Sequence, residues 1–136
     1  MVFGTFDFLH KGHLYFFSQA KKLAQKSFLI VSVARDVNVK KIKKHKAAQG
    51  EALRLAKIQS LKIVDKAVLG GKSGYLNHIL RERPNIIALG YDQKAYVQNL
   101  KRDIEKHRLK IKIRRLKAFM PRVYKSSVIK LKKSMV

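Results

Sequence analysis

The sequence contains no cysteine and no tryptophan, and only 2 of its 136 residues are proline. Without cysteine there is no disulfide framework, no thiol nucleophile and no cysteine ligand for zinc or an iron–sulfur cluster. No apolar run approaches the roughly 20 residues that a membrane-spanning helix needs. Residues 1–4 also lack the basic-then-apolar layout of a signal peptide. These absences predict a cytoplasmic protein with no membrane partner, whose chemistry would use groups other than thiols.

Acidic residues are scarce as well. Eight Asp and Glu stand against 32 Lys and Arg, which gives a formal net charge of +24. A field of this size attracts polyanions, either nucleic acid, acidic lipid headgroups or phosphorylated small molecules, and charge alone does not choose among them. Lysines are dense between Lys40 and Lys46, and no acidic residue follows Glu105. A solvated basic face explains the same pattern.

Apolar residues are plentiful enough for a packed core. They make up 46% of the chain, including seven Phe and five Tyr, which is too apolar for a disordered polycation. A chain of this length buries roughly two-thirds of its unfolded surface. The sequence therefore predicts one folded domain over residues 1–136.

Strand-like and helix-like segments alternate along the chain, which is typical of βα units around a parallel sheet. The predicted strands are 2–3, 28–34, 67–69, 86–89 and an edge strand at 111–116. The predicted helices cover 12–25, the region of residues 52–58, the region from 75 to Pro84, the region of residues 97–104, and a final segment after Ser126 and Ser127. This alternation predicts a single α/β domain, a Rossmann-like, doubly wound, mostly parallel five-stranded sheet.

Sheets of this kind bind ligands beyond the carboxyl ends of their strands. The predicted loops at these ends are 4–12, 35–46, 90–93 and 120–127. Right-handed crossovers would open all four loops toward one crevice. Functional residues are therefore expected there.

The first of these loops ends in His10-Lys11-Gly12-His13 directly before a helix. Two imidazoles can donate hydrogen bonds to phosphate oxygens, Gly12 allows close backbone approach, and the N–H groups of a helix start favour an anion. The arrangement predicts a polyphosphate site. Histidines that cap a turn or bind a metal as a pair are the structural alternatives.

Four of the eight acidic residues, Asp7, Asp36, Asp65 and Asp92, lie at or just past predicted strand ends. Ordinary turn and cap chemistry accounts for at least some of them. Asp92, between Gly90 and Gln93 in the third loop, is the best candidate for a polar ligand contact.

Ser126 and Ser127 at the fourth loop can cap a helix. They can also bind phosphate through their hydroxyls and backbone N–H groups.

The segment from Gly4 to His13, G-T-F-D-F-L-H-K-G-H, resembles the signature of the cytidylyltransferase-like nucleotidyltransferases. Their H-x-G-H lies where a nucleoside triphosphate is cleaved between its α and β phosphates. Further segments match the family in order over nearly the whole chain, namely Val33–Asp36, Lys44 with Lys46, Val64–Gly70, Ala88–Gln93 and Tyr124–Ile129. Within the family the chain is most similar to archaeal-type FAD synthase, which adenylylates FMN.

The resemblance implies a reaction and a set of site residues. AMP is transferred from ATP to FMN with release of pyrophosphate, Mg²⁺ is held largely by the phosphates with no protein metal ligands, and the protein is a homodimer. The implied catalytic residues are His10, His13, Lys44 and Lys46. The implied nucleotide-binding residues are Gly4, Thr5, Phe6, His10, Gly12, His13, Gly90, Asp92, Gln93, Tyr124, Ser126 and Ser127. The implied substrate-binding residues are Asp7, Asp36, Arg54 and Tyr91.

The chain departs from the family in its second predicted helix. Members often carry Glu-Gln-Arg or Glu-His-Arg there, whereas Glu51 and Arg54 flank Ala52-Leu53 in this chain. A nucleotide contact from that helix therefore depends on Arg54. A flavin acceptor needs an aromatic-lined slot, which Tyr91, Tyr96 or Phe119 could furnish unless these side chains belong to the core.

Three alternatives remain open from the sequence. Glycerol-3-phosphate cytidylyltransferase, which uses CTP, resembles the chain somewhat less and commonly has Trp where Gln93 stands. A basic nucleic-acid-binding domain would explain the charge, although the chain lacks an RRM-like aromatic signature, a zinc finger or a recognisable helix-turn-helix. A fold that binds nucleotide without catalysis is disfavoured by the intact H-K-G-H.

Overall fold

The computed structural model describes residues 1–72, 75–94 and 97–117. The strands are β1 (Val2–Gly4), β2 (Ile30–Val33), β3 (Lys66–Leu69), β4 (Ile86–Leu89) and β5 (Lys112–Arg115). The helices are α1 (Lys11–Lys21), α2 (Asp36–Lys43), α3 (Glu51–Gln59), α4 (Leu76–Glu82) and α5 (Val97–Lys106). No helix within these ranges is long and apolar enough to span a membrane.

The strands form one sheet in the order β3-β2-β1-β4-β5, and every pairing between them is parallel. β1 lies at the centre, with Gly4 opposite Val33 on β2 and Val2 opposite Ala88 on β4. The chain therefore moves outward from β1 to β3 on one side, crosses to β4 on the other side of β1, and moves outward again to β5. This is the doubly wound order, and it confirms the predicted fold class.

Hydrophobic clusters cover both faces of the sheet, because successive side chains of a strand point to opposite faces. One cluster contains Val2 with Phe17 of α1 and Ile58 of α3. The other contains Ile79 of α4 and Leu100 of α5, with Phe3 packed against it. Helices thus lie on both faces, and all side chains of β2 are buried between them.

Several predicted boundaries differ from the structure. The first helix ends at Lys21 instead of residue 25, and the second strand begins at Ile30, so that Phe28 lies outside it with 64% of its surface exposed. Glu82 ends α4 as expected before Pro84, because Arg83 takes a left-handed conformation with φ of 51°. The predicted final helix after Ser126 lies outside the described residues.

The segment 35–46, predicted as a loop, is the clearest error. Residues Asp36–Lys43 form α2, and the side chain of Val39 is buried. Asp36 at the first turn and lysines at the last turn favour the helix dipole. The β-branched residues and the lysine run obscured this helix, since valine has weak helix propensity.

Candidate functional site

The carboxyl ends of β1 and β4 lie side by side at the point where the strand order reverses, so the loops after them border one crevice. In the first loop Phe6 is buried and adopts a left-handed conformation with φ of 54°. Its ring lies against Gly4, where an added Cβ would approach the ring to 2.6 Å. The edge of the same ring packs on His13 with 5.4 Å between centroids. Gly4 is therefore needed for the ring that supports this histidine.

His10 and His13 stand together at the start of α1. Their ring centroids are 3.8 Å apart and their planes are inclined by 32°. His10 is the N-cap residue, and the backbone N–H of Gly12 donates to its Nδ1 at 3.1 Å. Because Nδ1 accepts, the proton of the neutral imidazole lies on Nε2, from which it can be donated to a phosphate oxygen. His10 thus both caps the helix and presents a donor.

Both imidazoles are neutral at physiological pH. Burial, and to a smaller extent the charges of His10 and Lys43, lower the pKa of His13 to about 3. Burial also lowers the pKa of His10. The Nδ1 atom of His13 is buried with no hydrogen-bond partner among the described residues. His13 is therefore suited to a ligand that supplies the hydrogen bond that the described residues do not.

The lowered pKa of His13 predicts a loss of stability in mild acid. The unfolded chain takes up a proton near pH 6.5 whereas folded His13 does not, so the free energy of unfolding falls as the pH drops from about 6.5 toward 3. At pH 5 the contribution of His13 amounts to about 2 kcal/mol. Urea unfolding at pH 7.5 and pH 5 should show this loss, and His13→Gln should lose less. Burial also lowers the pKa values of His10 and His78. The wild type and His13→Gln both contain these two histidines, so their effects cancel in the comparison. Equal losses in the two proteins would contradict the assignment.

Asp7 links the first loop to the segment before α3. Its carboxylate is buried and accepts the backbone N–H groups of Ala48 and Gln49, each at 2.8 Å. Beside this contact the Oε1 atom of Gln49 is buried without a hydrogen-bond partner in the described part of the chain. Asp7 therefore fixes the path of the segment that follows the lysine run.

Lys44 and Lys46 are exposed in that segment. Lys44 ends α2 in a left-handed conformation with φ of 59°. Lys43, one residue earlier, lies close enough to His13 to lower its pKa. Lys43 is thus the lysine whose charge acts on His13.

Arg54 is fully buried and ties the ends of β1 and β2 to the segment before α3. Its guanidinium donates to the carbonyls of Thr5 at 2.9 Å and Ala34 at 2.7 Å, and its Nε donates to the carbonyl of Gln49 at 2.9 Å. A further N–H group donates to Oδ1 of Asp36 at 2.7 Å. This hydrogen bond is the main reason that the pKa of Asp36 lies below its usual value. Arg54 and Asp36 thus hold the base of the crevice together.

Glu51 completes this arrangement. Its side chain accepts the backbone N–H of Asp36 at 3.0 Å, and its own backbone N–H donates to the Asp36 carboxylate at 3.2 Å. Arg35 bridges Glu51 to the carbonyl of Gly70 after β3. The starts of α2 and α3 are therefore fixed to each other and to the sheet.

The loop after β4 is held from two sides. Gln93 accepts the N–H of Gly90 at 2.8 Å and donates to the carbonyl of Phe3 on β1 at 2.6 Å. Arg115 of β5 donates through one nitrogen to the carbonyls of Gly90 and Gln93 at 2.8 Å and of Tyr91 at 3.4 Å. Asp92, at the tip of this loop, is exposed.

The structure thus places most of the predicted site residues at the edge of the sheet formed by the carboxyl ends of the strands. The residues there are Gly4, Thr5, Phe6, Asp7, His10, Gly12, His13, Asp36, Arg54, Gly90, Tyr91, Asp92 and Gln93. Asp65 is different, because it precedes β3 and therefore lies at the opposite edge, where it binds the N–H of Leu29 and the Lys21 side chain. Tyr124, Ser126 and Ser127, together with Tyr96 and Phe119, lie outside the described residues.

Sequence reasoning missed three residues at this edge, Lys43, Gln49 and Arg115. Lys43 belongs to the lysine run, but the run does not show which lysine acts on the pKa of His13. Gln49 and Arg115 gave no signal, since their roles depend on contacts with distant parts of the chain. No group of three His, Asp or Glu that could hold a metal occurs in residues 1–72, 75–94 and 97–117.

Comparison with known proteins shows which family and fold the chain shares. The model of the cytidylyltransferase-like family matches residues 1–133. An FAD synthase of Aciduliprofundum boonei is 42% identical over 88% of this chain and 78% of its own length. An FAD synthase of Methanosarcina barkeri is 43% identical over 83% of this chain and 78% of its own length. One solved structure, a lipopolysaccharide core biosynthesis protein from Thermoplasma volcanium, superposes with a TM-score of 0.79 and 37% identity over 88% of this chain and 95% of that one.

Proposed function

Because the chain belongs to the cytidylyltransferase-like family, we propose that it is an FMN adenylyltransferase, which transfers AMP from ATP to FMN and releases pyrophosphate. The observation that carries the proposal is its similarity to archaeal FAD synthases over more than four-fifths of the chain. The paired neutral histidines at a helix start supply the phosphate-binding chemistry that this reaction requires.

The reaction is an in-line displacement at the α-phosphorus of ATP. A phosphate oxygen of FMN forms the new bond to this phosphorus, and the bond from it to the bridging oxygen of the β-phosphate breaks. Pyrophosphate leaves with that bonding pair, and no protein nucleophile takes part. Catalysis therefore depends on positioning and on stabilisation of the developing charge.

The residues of the first loop meet this need. In this proposal the N–H group of His10 and the ring of His13 bind the phosphate oxygens, and the N–H groups at the start of α1 favour the anion. The charge of Lys43 acts on His13. The exposed Lys44 and Lys46 follow in the same segment, and the proposal assigns them to the phosphates as well. These donors act on charge that grows in the transition state and so lower the barrier.

Nucleotidyl transfer generally uses a divalent metal, and we propose Mg²⁺ bound to the triphosphate. The described residues fit a metal that arrives on the substrate, because the buried Asp7 carboxylate already accepts two backbone N–H groups. Mg²⁺ keeps several waters and is commonly held by substrate phosphates in such sites. When bound, it neutralises charge on the phosphates.

The acceptor identity is tested by a pyrophosphate-release screen. ATP, CTP, GTP and UTP are each combined with FMN, glycerol 3-phosphate and other phosphate esters. We expect release with ATP and FMN and much less with CTP and glycerol 3-phosphate. Consumption of CTP with glycerol 3-phosphate while FMN is untouched would replace the proposed substrates and leave only the mechanism of nucleotidyl transfer.

The basic surface supports a second, weaker binding property. Exposed lysines and arginines on α2 and α5 predict salt-sensitive binding of DNA or RNA without sequence preference. Affinity for random duplexes should collapse between low and physiological salt. Tight binding of one sequence at physiological salt would favour a nucleic-acid-binding function.

A homodimer and a cytoplasmic location remain predictions. Light scattering in solution tests the homodimer.

A further inference from the structure

The loop of residues 90–93 after β4 is shaped by an arginine from the outermost strand. Arg115 belongs to β5, at the edge of the sheet, and its guanidinium reaches back over the end of β4. One nitrogen donates to the carbonyls of Gly90 and Gln93 at 2.8 Å, and the Tyr91 carbonyl lies at 3.4 Å. Three of the four carbonyls in this loop therefore face the same cation.

The opposite side of the loop is fixed to the centre of the sheet. The Gln93 amide bridges the N–H of Gly90 and the carbonyl of Phe3, which is on β1 next to the phosphate-binding loop. Gln93 sets the distance between the two loops that border the crevice. Arg115 sets the conformation of the backbone that carries Tyr91 and Asp92, the two exposed side chains of the loop.

A charged donor shared by several carbonyls holds a short loop firmly. Hydrogen bonds to charged groups contribute more to stability than neutral ones do, although less on an exposed surface than where they are shielded from water. A loop held in its bound conformation loses less entropy when a ligand binds. Removal of the donor should therefore weaken binding at this loop while the phosphate-binding histidines stay in place.

We propose that Arg115 is a positioning residue for the nucleotide, which orders the loop of residues 90–93 so that it binds the adenosine part of ATP beside β1. This inference rests on the proposed adenylyltransferase activity. The proposal gives Arg115 a role in nucleotide affinity and no role in the chemical step. The reason is that its guanidinium donates to backbone carbonyls of the loop after β4 and not to the histidines of the first loop.

The test compares Arg115→Met, Arg115→Lys and Arg114→Met. Arg114 is the matched control, since it is the preceding residue of the same strand, is also exposed, and donates to the carbonyl of the adjacent Ile113. Both methionine variants remove one positive charge. We expect Arg115→Met to raise the KM for ATP about tenfold, with kcat and the KM for FMN changed less than threefold. Arg115→Lys should recover part of the loss, and Arg114→Met should match the wild type.

Hydrogen exchange gives a second readout that does not need activity. Without substrate, the amides of residues 91–93 should exchange about tenfold faster in Arg115→Met and at the wild-type rate in Arg114→Met. If the wild type forms no FAD, the proposed function fails by itself, and ATP affinity by calorimetry with the exchange rates still tests Arg115. Equal KM values and exchange rates in the two methionine variants would overturn the proposal. So would a rise in the KM for FMN alone.

Discussion

Replacing His13 with alanine is expected to lower the rate of FAD formation by about 10²–10³-fold, which is the typical cost of losing one preorganised donor to a transition state. The ring of His13 packs on Phe6 and stacks beside His10, so its position is fixed before substrate binds. Water that replaces the ring cannot hold the same geometry. The loss should appear in kcat/KM measured with saturating FMN and varied ATP.

His10 calls for a different replacement, because its Nδ1 also caps α1. Alanine would remove the cap and cost about 1 kcal/mol of stability. Asparagine is a good N-cap residue, so His10→Asn should keep the helix start and still lose turnover by about 10²-fold.

His107→Ala is the control for both histidine variants, since His107 is exposed beyond α5. It should leave activity unchanged, and all three variants should unfold cooperatively. Near-normal turnover in both His13→Ala and His10→Asn would remove the histidine pair from the mechanism.

The second large effect is expected on stability. Arg54→Leu should lower the free energy of unfolding by about 3–5 kcal/mol, because it leaves the carbonyls of Thr5, Ala34 and Gln49 without their donor. The lost ion pair with Asp36 adds little to this cost, because the Asp36 side chain is 49% exposed to solvent. Urea denaturation at pH 7.5 measures the change.

Two further variants separate the possible roles of Arg54. Arg102→Leu removes one exposed positive charge on α5 and should change the free energy of unfolding by less than about 0.5 kcal/mol. Arg54→Lys keeps the charge but not the fork of donors, so an intermediate loss is expected. A fully stable Arg54→Lys protein with a raised KM for FMN would instead support the direct substrate contact predicted from the sequence.

Much of the fold was predictable because its signals are local. The apolar run of β2 is buried on both faces, and the alternation of Ile113 with basic residues correctly indicated an edge strand. The position of the H-K-G-H segment at a helix start was predictable because all its parts lie within one turn of that start. Gly12 and the two histidines can be identified from the sequence because they are neighbours in it.

The remaining features depend on contacts between distant residues. The sequence does not show that Arg115 reaches Gly90, 25 positions away, or that Asp7 accepts N–H groups from residues 48 and 49. α2 was missed because its stability depends on its termini and on burial of Val39, whereas its composition favours a loop. Arg54 was expected to bind substrate, and its dense network of internal contacts became visible only in the fold.

The fate of the ATP phosphates tests the proposed reaction most directly. The protein is incubated with Mg²⁺, FMN and ATP labelled at either the α or the γ phosphate, and the products are separated by chromatography. Transfer of AMP places the α label in FAD and the γ label in pyrophosphate, in equal amounts and with no label left on the protein. Release of the γ label as inorganic phosphate, or the absence of α label in FAD, would contradict adenylyl transfer to FMN.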